Sequence, residues 1–393
     1  MKSITTIPEL AAIFLRLGLT AFGGPAAHIA FMRKEFVQER GWLEEAEFVD
    51  ILGTASVIPG PSSTEAAMLI GMRCCGIAGL WTAGICFILP AALLVGLLAA
   101  GYVQLGRLPS VQALFYGVEP IVTAIVAHAI WGLGRTALKT SWQKAASTVA
   151  FLLAYAGVSP FLIVFVIGSL FGMYEVISSP SGRRLQNAAK LVIVVILLLS
   201  IPLTVTAFLH IQYTHSLRAM LFCEFARIGS IVYGSGYVLV VFLHRELITK
   251  LHWITEKELL NAIAAGQITP GPVFTTAAFL GFLKFSTEGA LLAVAGIFLP
   301  AFFFAMLGSR LLAYVKQTPA LRCFLDGVNA VSIALMANVV IQFMRATLTG
   351  PLPAILTLSA YVLLLRTRIN SLWLMAGGAA AGIAVTLPGF LHH

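Results

Sequence analysis

Two short stretches decide the fold: VIPGPSSTE at 57–65 and ITPGPVFTT at 268–276. Each carries Pro-Gly-Pro at its centre and lies inside a long apolar segment. Proline removes a backbone donor and clashes with the preceding helical turn, so each PGP ends one half-helix and begins another. Pro61 and Pro272 suit the first turn of the new half-helix, where an N–H has no helical partner in any case. The stretches therefore predict helices that are broken at two matching points.

The two breaks belong to a duplicated unit, because residues 14–134 match residues 225–344 at a nearly fixed offset. At an offset of 211, Arg16 falls on Arg227, Trp42 on Trp253, and Pro59-Gly60-Pro61 on Pro270-Gly271-Pro272. After a one-residue deletion the offset is 210, and ICFILP at 85–90 meets AGIFLP at 295–300. So many coincidences of Gly, Pro and Trp at one shift predict an internal repeat.

The composition excludes a soluble domain. Of 393 residues, 59% are hydrophobic and only 10% are charged, whereas soluble domains carry roughly 25% charged residues. The run at 191–209 holds 19 residues without a charge, and roughly 20 such residues span a bilayer. The net charge of +9 comes from short basic loops between apolar segments, which indicates membrane topology and no nucleic-acid partner. The five cysteines lack the spacing of a disulfide framework or metal site.

The sequence predicts an all-α polytopic membrane protein with thirteen candidate spans. We divide it into an N-terminal repeat at 1–180, a linking span at 181–214 and a C-terminal repeat at 215–393. Each repeat contributes six spans, so the single linking span inserts the second repeat upside down, as in many transporters. The segments lie near 9–31, 46–75, 77–105, 111–134, 142–157, 161–177, 188–209, 218–243, 257–284, 287–314, 321–344, 351–365 and 371–390.

The distribution of basic residues tests this topology. With the N-terminus inside, sixteen of the 25 Lys and Arg residues fall on the cytoplasmic side and seven outside, which favours a cytoplasmic N-terminus. In the alternative, segments 46–75 and 257–284 are re-entrant hairpins that do not cross, and the two repeats are then parallel.

A half-helix N-terminus at membrane depth is a ready anion site, since it offers a partial positive charge and free N–H donors. Ser62, Ser63, Thr275 and Thr276 add hydroxyls directly after the two breaks. The alternative is a plain proline kink satisfied by neighbouring helices. The repetition of the break in both halves favours a binding site.

Five ionisable residues within the spans are weighed as further candidates. Arg16 and Arg227 are predicted to contact substrate or act in gating, although Arg16 is close enough to the segment's end to reach the cytoplasm. Glu65 is a candidate proton carrier, because burial lets a carboxyl hold its proton at neutral pH; a packing role is the alternative. For His28 and also His128 we favour a structural role.

The stretches FLRLGLTAFGGPAAH, ERGWL, IPGP and WITEKELLNAIAAGQITPGPVFTTAAFLGF resemble the chromate ion transporter family in its long, two-domain form. The resemblance covers nearly the whole chain and implies an inner (plasma) membrane location and chromate efflux as a resistance mechanism, with sulfate as a competitor. The family's motifs fall on Phe22-Gly23-Gly24-Pro25, on Pro59-Gly60-Pro61 and on Gln267 through Thr276. Two positions depart from it: Ser56 stands where the family usually has Gln, and Glu65 where it often has an amide or hydroxyl.

These features predict alternating access around an oxyanion site at the membrane midplane, with no metal or cofactor. Two other classes of protein are weighed against it. An intramembrane enzyme needs paired carboxylates, an activated nucleophile or metal ligands, and the sequence contains no HExxH or GxSxG. Three alternatives stay open: an anion channel, an uptake or exchange carrier for sulfate, and an assembly subunit. The sequence also leaves open whether the protein forms a homodimer.

Overall fold

The computed structural model describes residues 5–22, 24–56, 58–106, 108–178, 216–232, 236–316, 319–367 and 369–390. Within these ranges the chain is helical and has no β-strand. Five described stretches are long and apolar enough to cross a membrane: Ser62–Leu105, Pro109–Ala137, Pro160–Ser178, Val273–Leu307 and Arg322–Thr347. The predicted all-α polytopic class is therefore confirmed. Gly23 and the predicted linking span at 181–214 lie outside the described residues.

The helices of the second half recur in the order of the first. The first half contains α1 (Ile7–Thr20), α2 (Gly24–Arg33), a π-helical turn π1 (Lys34–Glu39), α3 (Glu45–Ala55), α4 (Ser62–Leu105), α5 (Pro109–Ala137), α6 (Ser141–Tyr155) and α7 (Pro160–Ser178). The second contains α8 (Leu217–Gly229), α9 (Val238–Leu243), π2 (His244–Lys250), α10 (Glu256–Ile268), a 3₁₀ turn (Val273–Thr275), α11 (Thr276–Lys316), α12 (Pro319–Thr347), α13 (Pro351–Arg366) and α14 (Ser371–Phe390). The breaks predicted at FGGP and at both PGP motifs are present.

The PGP segment of each half is the tip of a helical hairpin. Glu47 at the start of α3 pairs with Arg73 near the end of the first part of α4, at 2.7 Å. These residues stand equally far from Gly60 in the sequence, so the two arms must run back alongside each other. In the second half, Lys284 lies over the ring of Trp253 at 5.1 Å, which joins the base of the equivalent hairpin.

The first break of each half is also a hairpin tip. Arg40 pairs with Glu9 at 2.6 Å, and Phe14 stacks on Phe36, so α2 and π1 return along α1. In the second half Lys250 reaches back to Glu224, at 3.8 Å. We call these four units, in chain order, the first to fourth hairpins; their tips lie at 21–24, 58–61, 232–237 and 269–272.

A sharp turn separates the short first arm of α4 from its long second arm. Cys75 and Gly76 leave helical geometry, and a Cβ on Gly71 would lie 2.2 Å from the carbonyl oxygen of Gly79. Only glycine lets the two arms pack this closely. The same turn occurs in α11 at Phe285 and Ser286.

The structure corrects the prediction that segments 46–75 and 257–284 cross the membrane, and it agrees with the alternative of hairpins. Segment 9–31 also turns back, which leaves four candidate spans in each half. Because four is an even number, the single linking span is again expected to insert the second half upside down, not parallel to the first. At 1.5 Å per residue, the arm from Ser62 to Cys75 is about 20 Å long, short of a hydrocarbon core of roughly 30 Å. The count of basic residues assumed that segment 9–31 crosses the membrane, and it therefore placed Arg40 on the side opposite the N-terminus. Arg40 instead lies beside Glu9, so the count no longer supports an orientation. The cytoplasmic N-terminus stays a prediction.

The bases of the hairpins lie toward opposite ends of α4's long arm. The bases of the first two hairpins lie at its N-terminal end, where the Cys75 thiol reaches the carbonyl of Thr5 at 3.2 Å. The tip of the fourth hairpin lies against Ala91 near the arm's middle. Further along the same hairpin, Phe279 packs on Tyr102 near the arm's C-terminal end, at 5.3 Å.

The two halves exchange their last helices. Helices α6 and α7 pack on α12 of the second half, while α13 and α14 pack on α5 of the first. The closest approach uses glycine in both places, since a Cβ on Gly117 would lie 1.8 Å from the carbonyl oxygen of Gly378 and one on Gly327 would crowd the ring of Phe171. The exchange places α5 and the α13–α14 turn beside the tips of the first, third and fourth hairpins.

Candidate functional site

The four hairpins are joined, at their tips or directly beside them, by a closed ring of hydrogen bonds. The first hairpin bonds to the second, the second to the third, the third to the fourth, and the fourth to the first. The bonds join His28 Nδ1 and Ser63 Oγ (3.1 Å), Gly60 N–H and the Val232 carbonyl (2.7 Å), Gln267 Nε2 and Tyr237 Oη (3.0 Å), and Gly271 N–H and the Ala21 carbonyl (3.2 Å).

Two of these bonds are the same interaction made twice. Gly60 donates to Val232 and Gly271 donates to Ala21, and each residue of the first pair corresponds to one of the second at the 211-residue offset. Each PGP tip thus docks on the first break of the opposite half. A buried backbone N–H without a partner would be costly, so these bonds fix the tips to each other.

His28 is structural, as favoured from the sequence. Its ring is buried and lies edge-on to Phe87. Nε2 is 3.0 Å from the carbonyl oxygen of Ala21, which can only accept, so Nε2 carries the proton. In the neutral ring Nδ1 then accepts from the hydroxyl of Ser63. The histidine ties the first tip to the second.

A polar cavity of about 500 Å³ opens where three of the tips meet helix α5 and the α13–α14 turn. Among the described residues that line it, none is Asp, Glu, Lys or Arg. Its polar lining consists of backbone at Gly24 and Gly271 and the side chains of Tyr237, Gln267, Thr269, His128, Asn370 and Ser371. We call it the tip cavity.

Helix α2 begins at the wall of the tip cavity. Gly24, its first residue, and Pro25 both line the space. The first N–H groups of a helix have no intrahelical partner, and the helix dipole places partial positive charge there. An anion in the cavity would meet the N–H of Gly24, since Pro25 has none, together with the amide of Gln267, and no carboxylate from the described lining would repel it.

The predicted site residues separate into two groups. Gly24, Gln267 and Gly271 line the tip cavity. The hydroxyls of Thr275 and Thr276 instead donate to the carbonyls of Pro272 and Val273, at 2.8 Å and 2.7 Å. They therefore belong to the turn after the second PGP.

The remaining predicted residues support the tips. Ser63 bonds His28, and Ser62 begins α4. The buried prolines of the two PGP motifs shape the turns; they are Pro59, Pro61, Pro270 and Pro272.

Glu65 lies directly beneath the second tip. It is fully buried, and neither carboxylate oxygen has a hydrogen-bond partner among the described residues. Oε1 of Glu65 occupies the space that a Cβ at Gly60 would need. The hydroxyl of Thr64, which corresponds to Thr275, is also buried without a partner in the described chain. A carboxyl in this setting is stable in its protonated, uncharged form.

Arg16 and Arg227 each have a carboxylate partner within the protein. Arg16 pairs with Glu35, and Arg227 pairs with Glu246 and with Glu224. The Arg16–Glu35 and Arg227–Glu246 pairs are equivalent at the 211-residue offset. Neither arginine lines the tip cavity. Their charges hold the first and third hairpins closed, and a contact with substrate stays a prediction.

Sequence reasoning missed several residues of the cavity. Tyr237, Asn370 and Ser371 come from a tip and a turn that hydropathy does not distinguish from other loops. His128 was recognised only as a histidine in an apolar stretch. Its equivalent in the second half, Asn338, also lines a cavity, and this pair of polar residues at matching positions was the available signal.

Paired hairpins that meet at a polar cavity, together with helices long and apolar enough to cross a membrane, are typical of integral membrane transport proteins. The chain belongs to the chromate transporter family, whose sequence profile matches it twice, at residues 8–173 and at 219–383. One matched range falls in each half of the chain. No solved structure matches the chain.

Curated relatives share most of this chain. It is 30% identical to the chromate transport protein of Cupriavidus metallidurans over 99% of this chain and 95% of that protein. It is 30% identical to the probable chromate transport protein of Synechococcus elongatus over 87% and 86% of the two chains. It is 28% identical to the chromate transport protein of Pseudomonas aeruginosa over 86% and 82%.

Proposed function

We propose that this protein exports chromate, or a tetrahedral oxyanion of similar shape such as sulfate, across the inner membrane. The observation that carries the proposal is the tip cavity, which joins a helix N-terminus, an amide and hydroxyl groups without a lining carboxylate. A dianion needs donors in place of its water shell, and this lining supplies them. Family membership supports the choice of chromate.

We propose further that the two halves are inverted in the membrane. Support comes from the hairpin bases toward opposite ends of α4's long arm and from the matching bonds between tips. Alternating access then follows if the exchanged helices rock around the ring of tips, opening the cavity first to one side and then to the other.

Export is the direction that the membrane potential favours. Moving one elementary charge through 100 mV is worth about 2.3 kcal/mol, so a dianion that leaves a negative interior gains about 4.6 kcal/mol. Efflux on this basis requires no coupling ion, whereas uptake does. Glu65 is the candidate for proton antiport, because it is a buried carboxyl beside a tip.

The direct test is flux of chromate, sulfate and molybdate into proteoliposomes, with and without a pH gradient. We expect saturable flux with turnover far below that of a channel. Gln267→Ala should raise the KM for the transported ion by about tenfold, as expected for one lost hydrogen bond to a charge. The matched control is Gln104→Ala, which changes an exposed glutamine at the end of α4.

Three results would contradict the proposal. Folded protein that moves none of the three ions excludes an oxyanion transporter. A unitary current shows a channel. Inward accumulation driven by a proton gradient favours the alternative of sulfate uptake.

A further inference from the structure

A second polar cavity, of about 470 Å³, lies between the α6–α7 turn, helix α12 and the returning arm of the third hairpin. Its lining differs from that of the tip cavity because it carries charge. The polar and charged side chains are those of Tyr155, His244, Arg245, Thr249, Asn338, Gln342 and Arg345. None of the described lining residues is Asp or Glu. We call it the arginine cavity.

Both arginines retain donors for a ligand. One Nη of Arg245 donates to the carbonyl of Gly157 at 3.3 Å, which occupies one of the five N–H donors of a guanidinium. Arg345 comes from a different element, α12, and is exposed. His244 is engaged elsewhere, since its Nε2 lies 2.6 Å from a carboxylate oxygen of Glu256.

The amides in the cavity also present donors. Gln342 donates from Nε2 to Oδ1 of Asn338, at 3.3 Å. This bond uses the acceptor of Asn338 and leaves its NH₂ group. Two cationic groups and amide N–H donors thus line a concave space in which none of the described lining residues is acidic, a composition that favours an anion.

The arginine cavity corresponds to the tip cavity through the repeat. Leu335, Asn338 and Val339 stand 210 residues after Ile125, His128 and Ala129, and Ala154 and Pro160 stand 210 residues before Leu364 and Asn370. If the halves are inverted, equivalent cavities lie on opposite sides of the midplane. One cavity is uncharged and the other carries two arginines.

We propose that the arginine cavity is a binding site for a tetrahedral oxyanion, held by Arg245 and Arg345. The anion is either free in solution, as the cargo, or the phosphate of an anionic lipid headgroup; both offer the same oxygens to the guanidinium forks. The inference rests on the proposed transport function only for the identity of a free ligand. If the ligand is the transported anion, the site would raise its local concentration on the side of the membrane opposite the tip cavity.

The test measures equilibrium binding of radiolabelled sulfate and chromate to the purified full-length protein in detergent without anionic lipid. We expect two classes of site in the wild type, one of which is weaker in the Arg245→Gln and Arg345→Gln variants. Each of these variants should weaken the affected class about tenfold, the effect of one charge-assisted hydrogen bond. Arg366→Gln, which changes an exposed arginine on α13, should retain both classes. Thermal unfolding of each variant checks that it is folded, and Arg245→Lys should keep part of the affinity.

A second arm distinguishes the two sources of oxyanion. Native mass spectrometry after exchange into neutral or anionic lipid measures the bound lipid. If the oxyanion is a lipid headgroup, the wild type should retain phosphatidylglycerol and both Gln variants should lose it. Unchanged anion binding and unchanged lipid retention in both folded Gln variants would overturn the inference. Loss of binding in these variants, combined with absent flux in the wild type, would leave the site standing and remove the transport function.

Discussion

At the tip of the fourth hairpin, Gly271 combines a backbone shape and a spacing that other residues do not tolerate. Its φ is 94°, in the left-handed region where a Cβ is strained. The carbon would also lie 2.7 Å from Cβ of Ala91, on the helix against which the tip docks. The residue's N–H meanwhile donates to Ala21.

Gly271→Ala should therefore destabilise the protein by about 1–3 kcal/mol, the usual cost of a strained backbone residue. Thermal unfolding in detergent measures the loss. The control is Gly96→Ala in the long arm of α4, where an added Cβ meets nothing within 4 Å and where alanine is neutral or slightly stabilising in a helix. Equal unfolding temperatures for Gly271→Ala and the wild type would refute the account of the tip.

Glu65 can be tested with a substitution that removes its ionisable group and keeps the shape of its side chain. Glu65→Gln keeps the shape and leaves a neutral group in the buried pocket, so we expect the stability at neutral pH to be retained or raised. If Glu65 carries the coupled proton, the dependence of flux on a pH gradient disappears in this variant. Glu288→Gln, at a half-exposed ion pair with Arg218, should keep the wild-type profile. Full pH dependence in Glu65→Gln would leave the carboxyl with a packing role only.

At the scale of the elements, the ion pair at the base of the second hairpin gives a pH prediction. The Arg73 guanidinium holds the pKa of Glu47 below its usual value, and the backbone N–H of Glu44 adds to this effect. A carboxylate with a lowered pKa stabilises the folded state at pH values above the unfolded pKa of about 4.3. The contribution is lost as the pH falls through the lower, folded pKa.

Glu47→Gln should thus lower the stability at pH 7 by less than about 1 kcal/mol, because the pair is partly exposed and screened by solvent. The difference from the wild type should shrink below pH 4.3, as Glu47 becomes protonated in both states. Unfolding temperatures measured across this range in detergent test the sign. A difference that grows on acidification would contradict the pairing.

The elements also show where sequence reasoning succeeds and where it stops. Proline and glycine break a helix through local sterics, so 59–61 and 270–272 were identified as breaks from the sequence alone. Whether the chain continues or returns after a break depends on contacts between distant residues, such as Glu47 with Arg73. Their equal distance from Gly60 was visible in the sequence, yet hydropathy gave these segments the length of a crossing span.

The candidate site was predictable to the same extent. Gly24, Gln267 and Gly271 were expected because they belong to the broken motifs, and they line the tip cavity. Tyr237 and Asn370 were not expected, because only tertiary contacts bring them there: Tyr237 comes from the third tip, and Asn370 from the turn between α13 and α14, which pack on α5. Arg16 and Arg227 were predicted to contact substrate or act in gating, and the hairpins supply Glu35 and Glu246 as their partners.

On the scale of the whole molecule, inversion of the halves makes a prediction about sidedness. Ile77 and Thr287 are equivalent residues at the 210-residue offset, and each begins the long arm after a sharp turn. Both are exposed. If the repeats insert in opposite directions, these two positions face opposite sides of the membrane, although the sequence around them is related.

Single cysteines at Ile77→Cys and Thr287→Cys, in a background with the five native cysteines replaced, test this directly. A membrane-impermeant thiol reagent added to intact cells should label one variant fully and the other only after the membrane is opened. The N-terminal orientation follows from which variant reacts first, since the base of the first hairpin lies beside residue 75. Labelling of both from the same side would show parallel halves, and the hairpin tips would then have to meet without the symmetry that places each PGP on the opposite half.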